Sequence, residues 1–439
     1  MSIQIISIIG LVVIFLLASL RSVNMGAVAF LGAFLIGTFI VHQSEDDLFA
    51  GFPGDLFVVL VGVTLLFAIA KSNGTVDWLI HAGVRAVRGR IALIPWVMFL
   101  VTSLLTMVGA VVPGAVAMMA PIGLNFAVRY RISPMLMGLL VINGASAGGF
   151  SPISIFGSIT NGVVERSGLP GSPVLLWIST LLFNTLLSLV VFFLFGGKQL
   201  LHRRVSTEPT PQEEDVDGTD GGGGATTAIR TSTEAVTGVA TLNVQRTATL
   251  VGLVVLAVGA LALQLDVGLL ALSIATIMIL LWPQTTKKCV AEVAWPSVLL
   301  ICGVVTYVGL MESVGTIDYL GNSVAGIGIP LLAAFLICLI GGAVSAFAST
   351  TGILGALIPL AVPFLHTGQV GAVGMIIALA ISSSVVDSSP FSTSGALVVA
   401  STPEESRDAT FKRLMAWGMS MILVAPVLSW AIFVLPGWL

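Results

Sequence analysis

The chain has 439 residues, of which 56% are hydrophobic and 9% are charged, and its formal net charge is −3. A mean hydropathy of +1.08 excludes a soluble domain, which could not cover that much apolar surface, and indicates a polytopic membrane protein. The near-neutral charge gives no indication of nucleic-acid binding. The three cysteines, Cys289, Cys302 and Cys338, lie singly in or beside apolar segments, a pattern that fits neither a metal site nor a disulfide framework.

The chain begins MSIQIISIIG, with no basic region and no small-residue cleavage site before Arg21. We interpret this segment as a retained first helix and not as a signal peptide. Two apolar blocks, 91–128 and 327–366, are long enough for two helical arms each. The runs that predict one span each are 3–20, 24–42, 56–71, 134–164, 173–197, 246–264, 267–284, 296–311, 370–400 and 413–435.

The basic residues orient these spans. If the N-terminus is outside, every one of the 18 Lys and Arg residues except Arg166 falls on the inner side. The positive-inside rule makes that side cytoplasmic, so we expect both termini to be extracytoplasmic. Charge does not decide whether block 91–128 crosses twice or dips into the membrane and returns, because both of its ends lie inside either way.

A hydrophilic stretch divides the chain. Residues 205–245 are acidic and Gly-rich and lack aromatic residues, so segment 198–245 is expected to be a disordered cytoplasmic linker. A regulatory role for it is the alternative. Each flanking half, 1–197 and 246–439, holds five single spans and one two-armed block.

Short motifs recur in the two halves. GTVDWL at 74–79 corresponds to GTIDYL at 315–320, and SPISIFG at 151–157 corresponds to SPFSTSG at 389–395. The offsets are 241 and 238 residues, close enough to indicate one internal repeat. Five crossings per half is an odd number, so the second half should be inverted relative to the first, as in secondary transporters. The predicted fold is therefore all-α, with two inverted repeats of five transmembrane helices and one re-entrant hairpin each.

The SPxSxxG motif places a proline in the middle of an apolar span. Pro152 and Pro390 each leave one carbonyl without its helical partner, so spans 134–164 and 370–400 should break near their centres. Broken ends at mid-membrane depth attract anions at one terminus and cations at the other. A proline kink that only shapes packing is the alternative.

The two blocks should turn near their own centres. Pro113 and Gly114 are expected to break block 91–128, and Gly352 is expected to break block 327–366. The second turn offers hydroxyl groups, whereas the first offers backbone groups only.

Asp387 is an acidic residue inside a predicted span. A carboxylate at a helix centre costs about 2.5–3.5 kcal/mol on insertion scales, and no Lys or Arg lies in the apolar core to pair with it. We expect it to meet a cation such as Na⁺ or to be protonated. A position beside a wet vestibule is the alternative. The four His residues fall at span ends or in loops, so the sequence gives no support for a proton relay or a metal site.

The stretch LTMVGAVVPGAVAMMAPIGLNFAVRYRISPMLMGLLVINGASAGGFSPISIFG resembles the bacterial malonate/dicarboxylate carriers of the MatC type. The order of hairpin tip, MMAPIG and SAGGFSP is similar to that of the divalent anion/Na⁺ symporters of the ion transporter superfamily. The resemblance implies a homodimer in the bacterial inner membrane. It also implies an elevator mechanism, in which a transport domain moves against a fixed scaffold. It departs from the family at the first tip, where Val111-Val112-Pro113 stands in place of Ser-Asn-Thr.

The resemblance, carried over by position, implies two sets of binding residues and Na⁺ as the coupling ion, with no other cofactor. The predicted substrate-binding residues are Ser151, Ser154, Ser349, Thr350, Thr351, Ser389 and Ser392. The predicted sodium-binding residues are Ser146, Gly148, Val111, Ser349, Asp387 and Ser388.

The expected function is Na⁺-coupled import of a small dicarboxylate, malonate first and C4 acids second. A cation/proton antiporter that exchanges ions at Asp387 is one alternative, and an anion channel is another. An enzyme is not expected, because the sequence contains no HExxH and no Cys/His cluster in its apolar core.

Overall fold

The computed structural model describes residues 2–21, 23–86, 90–201, 242–317, 319, 329–346, 350–366 and 368–437. Within these ranges the regular elements are helices, and no β-strand forms. Residues 202–241, which make up most of the predicted linker, lie outside the described part of the chain. So do Ser349 and the rest of the second hairpin tip, 347–349.

The first half contains eleven named helices and one short π-helical segment, Gly37–Val41, that extends the second helix. The helices are α1 Ile3–Arg21, α2 Met25–Ile36, α3 Glu45–Ala50, α4 Gly54–Ser72, α5 Thr75–Ala86, α6 Leu93–Met107, α7 Val112–Arg129, α8 Pro134–Gly149, α9 Ile155–Arg166, α10 Pro173–Leu194 and α11 Gly197–Leu201.

The second half continues the numbering and includes one 3₁₀ segment, Val386–Ser388, after α18. The helices are α12 Val244–Leu261, α13 Val267–Leu281, α14 Pro283–Thr286, α15 Trp295–Ser313, α16 Pro330–Ser345, α17 Thr350–His366, α18 Ala372–Val385, α19 Thr393–Ser401 and α20 Glu404–Phe433.

Seven described stretches are helical, long and apolar enough to cross a membrane by themselves. They are α4, α7, α10, α12, α15, α20 and the stretch Ala372–Ser401, and shorter apolar helices accompany them. The fold is thus that of a multi-pass helical membrane protein. The last helix begins at Glu404, well before the predicted span 413–435, because its charged first turns continue the helix beyond the apolar segment.

The first hairpin turns earlier than the sequence predicted. α6 ends at Met107 and α7 begins at Val112, and between them Gly109 adopts φ +109°. Pro113 and Gly114 therefore lie in the first turn of α7, where the N–H that proline lacks would have no helical partner. Gly352 likewise lies in the first turn of α17 and not in the hairpin tip.

One group of helices packs through glycines. α2 packs on α15, and a Cβ at Gly303 would lie 2.0 Å from the carbonyl oxygen of Gly26. α4 packs on α13, and a Cβ at Gly62 would lie 2.7 Å from the carbonyl oxygen of Gly268. Both approaches leave no room for a side chain, as in close membrane-helix contacts. We call α1, α2, α4, α12, α13 and α15 the first helix group.

A second helix group consists of α6 to α10 and α16 to α20. In it α8 packs on α6, α7 and α10, and α18 packs on α16, α17 and α20. The halves interlock, since α7 packs on α19 and α9 packs on α17. The two groups meet where α9 lies on α4 and where α17 lies on α15.

The ends of α4 carry separate polar contacts. At its start, the Nε of Arg166 donates to Asp55 at 2.9 Å, in an ion pair that joins α9 to α4. At its other end, Lys71 pairs with Glu292 at 3.2 Å, and Arg246 donates to the carbonyl of Asn73 at 3.2 Å. Arg166 thus lies at the opposite end of α4 from Lys71 and Arg246.

Candidate functional site

The first broken helix restarts at Ser154. α8 ends at Gly149 and α9 begins at Ile155. The Ser154 hydroxyl accepts a hydrogen bond from the N–H of Gly157 at 3.3 Å, and its proton is shared between the carbonyls of Gly149 and Ser151. One side chain therefore caps the new helix and also satisfies carbonyls released by the break.

The second broken helix restarts in the same way at Ser392. α18 and its 3₁₀ extension end at Ser388, and α19 begins at Thr393. The Ser392 hydroxyl accepts from the N–H of Gly395 at 3.2 Å and donates to the carbonyls of Asp387 and Ser389. Each partner lies 238 residues after its counterpart around Ser154.

The motif's glycine is required by a close backbone approach. A Cβ at Gly157 would lie 1.9 Å from the carbonyl oxygen of Ser151, and a Cβ at Gly395 would lie 1.9 Å from that of Ser389. Pro152 and Pro390 lie in the intervening turns, where no helical hydrogen bond is needed from them. The SPxSxxG motif therefore ends one helix and begins the next within a few residues.

A buried polar network adjoins the second break. Thr350, at the start of α17, donates from Oγ1 to Oδ1 of Asp387 at 2.7 Å. Ser345, at the end of α16, lies 2.9 Å from the Thr350 hydroxyl and donates to the carbonyl of Ser383 at 2.7 Å. The second hairpin and the second broken helix therefore bring together a carboxylate, two hydroxyls and a carbonyl.

This network has no basic partner. Among the described residues, Asp387 is the one buried Asp, Glu, Lys or Arg, with 6% of its surface exposed. Thr350 is 3% exposed and Ser345 is fully buried, so water does not surround the carboxylate. Hard oxygen ligands of this kind suit a small cation, which would offset the cost of the buried charge.

The corresponding contact at the first break is apolar. Gly149 and Val112 are the counterparts of Asp387 and Thr350, 238 residues earlier. A Cβ at Gly149 would lie 3.0 Å from Cγ2 of Val112, so this pair makes an apolar contact. Ser151 does not take part in such a network and instead donates to the carbonyl of Met107 at 2.9 Å. The first hairpin and the first break are thus joined by packing and by a single hydrogen bond.

The N-terminal part of the chain matches a known protein family. Residues 1–149 match the family model described as the dicarboxylate carrier protein MatC N-terminus. The resemblance to MatC-type carriers is confirmed. The match supports a MatC-type dicarboxylate carrier and favours a role in transport. No curated protein matches the chain significantly.

The MatC-type region stops at the last residue of α8. The helices up to the first break therefore carry the family signal, whereas both SPxSxxG motifs and the Asp387 network lie beyond it. What those later residues do must be argued from their own geometry.

The four predicted substrate-binding serines that the structure describes all make hydrogen bonds within the protein. Ser154 and Ser392 cap helices, Ser151 bonds to Met107, and Ser389 accepts the N–H of Phe391 at 3.2 Å. Thr350 is the predicted residue that reaches Asp387. Its neighbour Thr351 is also buried, at the start of α17.

The predicted sodium-binding residues lie in different environments. Ser388 bonds back to the carbonyl of Val385 at 2.8 Å, and Val111 is the residue that precedes the first turn of α7. Gly148 packs on α6, where a Cβ would lie 1.9 Å from the carbonyl of Ser103. Ser146, on α8, is buried and its hydroxyl has no partner, so it could still serve a ligand.

Sequence reasoning missed Ser345 and Ser383. The Ser383 carbonyl accepts from Ser345, and the Ser383 hydroxyl is buried without a partner. Ser345 is the last residue of α16 and Thr350 is the first residue of α17, so the ends of the two hairpin arms lie side by side. The available signal was that Ser345 is the one hydroxyl residue on the otherwise apolar helix α16.

The two breaks lie in one region of the second group. α8 packs against the 3₁₀ segment Val386–Ser388, and α9 packs on α17, whose first residue is Thr350. The N-terminal end of α9 and the Asp387 network thus belong to neighbouring helices, as a shared site for an anion and a cation requires.

Proposed function

We propose that the protein imports a small dicarboxylate together with Na⁺, with malonate as the first substrate and C4 acids as the second. The observation that carries the proposal is the contact between Asp387 and Thr350. A buried carboxylate with hydroxyl and carbonyl oxygens around it, and no Lys or Arg, supports a cation site at that point.

The anion is proposed to bind beside this cation. Without a buried Lys or Arg in the described part of the chain, two substrate carboxylates need backbone N–H groups, hydroxyls and bound sodium as partners. The N-terminal ends of α9 and α19, each produced by a helix break, are suitable anion-binding elements. Sodium binding would order the site and make it attractive to a dianion.

Two inverted repeats are part of the proposal, and matching contacts support them. Gly26 meets Gly303, and Gly62 meets Gly268. Gly26 and Gly268 are 242 residues apart, and Gly62 and Gly303 are 241 apart, so the two contacts correspond under the offset of the GT[VI]D[WY]L motif. The contact of α7 with α19 corresponds in the same way to that of α17 with α9.

An elevator mechanism is proposed from the division into two groups. The first group would be the scaffold and the second the transport domain, because the second contains both hairpins and both broken helices. Moving it would carry the Asp387 network across the membrane while the glycine contacts of the first group stay intact. The homodimer, the bacterial inner membrane and the extracytoplasmic termini are proposed from the resemblance and from charge distribution.

The electrical balance bears on the coupling. A dianion moving inward opposes an inside-negative potential by about 2.3 kcal/mol per charge per 100 mV. More than two sodium ions per dianion would make import electrically favourable.

The test is uptake of radiolabelled malonate into proteoliposomes with and without an inward Na⁺ gradient. We expect wild-type uptake to require sodium and to be lost in Asp387→Asn, which keeps the size of the side chain but removes its charge. Asp46→Asn, at an exposed position on α3, is the matched control and should behave as wild type. Sodium-independent uptake would contradict the coupling, and normal uptake by Asp387→Asn would contradict the site.

A cation/proton antiporter is the second candidate, and the same observation favours it. A buried carboxylate without a basic partner can exchange Na⁺ for H⁺. Sodium efflux driven by a pH gradient in the absence of organic anions, together with no malonate uptake, would replace the proposed function by this one.

A further inference from the structure

One face of α17 is closed against the first group. A Cβ at Gly352 would lie 2.9 Å from Cε of Met25 and 3.6 Å from Cδ1 of Leu300. A Cβ at Gly355 would lie 3.5 Å from Cδ1 of Ile301 and 3.9 Å from Cγ1 of Val304. α17 therefore presents small residues to α15.

The corresponding face of α7 is open. Gly114 and Ala117 are the counterparts of Gly352 and Gly355, 238 residues earlier, and both are exposed. Among the described residues, Val111 at 3.9 Å is the only one that a Cβ at Gly114 would have within 4 Å. Pro121, the counterpart of the buried Pro359, is exposed as well. α7 has no packing on α4 comparable to that of α17 on α15.

The same difference separates α9 from α19. On α9, Ile155 and Ser158 are buried, and a Cβ at Gly162 would lie 2.4 Å from Cδ2 of Leu56 on α4. Their counterparts on α19 are Thr393, Ala396 and Ala400, and all three are exposed. In each pair of corresponding helices, α7 with α17 and α9 with α19, one face is therefore covered by the first group and its counterpart is exposed.

We infer that the exposed faces of α7 and α19 are the surfaces that dock on α4 and α15 in the opposite-facing state. The inference rests on the proposed function, since it requires a carrier with two states related by its repeats. The described structure would be one state, in which α17 and α9 hold the contacts. In the other state α7 and α19 would hold them instead.

The offsets name the new contacts. Gly355 lies on Val304, so Ala117, 238 residues before Gly355, should lie on Val63, 241 residues before Val304. Gly162 lies on Leu56, so Ala400 should lie on Ser297. These pairs are specific, because a different displacement would bring other residues into register.

The first of these pairs also gives a distance. In the described state Val63 contacts the hairpin turn, where a Cβ at Gly109 would lie 2.3 Å from its Cγ1. Ala117 lies five residues beyond Val112, where α7 begins, which is about 8 Å further along that helix at 1.5 Å per residue. Bringing Ala117 to Val63 in place of the turn therefore implies a movement of the second group by more than one helical turn.

The experiment is cross-linking of cysteine pairs in membranes with a short bis-maleimide, with mass spectrometry of the linked peptides. The test pairs are Ala117→Cys with Val63→Cys, and Ala400→Cys with Ser297→Cys. The control pair Gly355→Cys with Val304→Cys reports the described state. Val128→Cys with Val63→Cys is the negative control, since Val128 is exposed near the far end of α7. The three native cysteines are buried and remain in place.

We expect the test pairs and the control pair to link, and each link to abolish malonate uptake that the single-cysteine variants retain. Linking of the control pair with neither test pair linked would overturn the inference. Failure of the control pair would overturn it too, because the described contact is its template. If the test pairs link but wild-type protein takes up no malonate, the two-state inference stands and the proposed substrate fails.

Discussion

The two helix breaks share a backbone and differ in chemistry. At both, a serine caps the second helix. At both, a Cβ added to the motif's glycine would lie 1.9 Å from the carbonyl oxygen of the motif's first serine. At the second break Asp387 meets Thr350, whereas at the first break Gly149 meets Val112. The pairs are at corresponding positions, since 387 and 149, and 350 and 112, each differ by 238.

This difference separates what builds the fold from what would bind the cation. The capping serines and the glycines appear in both copies, so they serve the backbone. Asp387, Thr350 and Ser345 have Gly149, Val112 and Met107 as their counterparts, none of which offers a side-chain oxygen. The Asp387 network is therefore one-sided, with its side-chain oxygens in the second half alone.

The largest expected effect tests the shared part. Gly157→Ala and Gly395→Ala each place a Cβ on a backbone carbonyl, so the turn must shift, at a cost of about 1–3 kcal/mol or more. We expect both variants to lower the midpoint of thermal unfolding in detergent. Gly168→Ala is not a suitable control, because Gly168 adopts φ +63°. Gly54→Ala is suitable, because a Cβ there meets nothing within 4 Å.

A large drop for one of the two glycine variants and none for the other would contradict the shared backbone. Equal drops in the unfolding midpoint would show that both breaks depend on the same backbone. Any difference between them in transport would then come from their different side chains.

The sequence predicted this backbone closely. The prolines predicted breaks near the centres of spans 134–164 and 370–400, and the described helices stop at Gly149 and Ser388. The first hairpin turn was less predictable. The turn forms at Gly109 and not at Pro113, because proline is also common in the first turn of a helix and therefore does not mark a hairpin turn by itself.

The chemistry was harder to predict than the backbone. Four of the predicted substrate-binding hydroxyls form hydrogen bonds with backbone groups. The sequence could not show this, because a serine that caps a helix and a serine that binds a ligand look the same in a sequence pattern. Asp387 was singled out by its cost in a membrane. Ser345 was missed, because its contact with Ser383 joins residues 38 positions apart on different helices.

The next effect, on sodium affinity and not on the stability of the fold, tests the one-sided network. Thr350→Val removes the hydroxyl that donates to Asp387 and keeps the shape of the side chain. A hydrogen bond to a charged group contributes about 1.5–3 kcal/mol, so we expect a roughly 10- to 100-fold weaker apparent sodium affinity. The measurement is the sodium dependence of malonate uptake.

Val112→Thr is the matched control, since it adds the same hydroxyl at the corresponding position of the first half. That position has no carboxylate, so uptake and its sodium dependence should stay at the wild-type level. A comparable loss of sodium affinity in both variants would mean that the first half also holds a cation through its side chains.

The smallest effect concerns the balance between the two states. Asp55 and Arg166 join α4 to α9 in the described state, and their counterparts, 241 and 238 residues later, are Pro296 and Glu404, which cannot form an ion pair. The pair thus favours the described state over the opposite one. Its side chains are 51% and 33% exposed, so the preference should be about 0–1 kcal/mol.

Asp55→Asn should raise the yield of the Ala117–Val63 link up to about fivefold, and less at high salt, where the pair is already screened. An unchanged yield at low salt would show that helix packing, and not this ion pair, sets the balance.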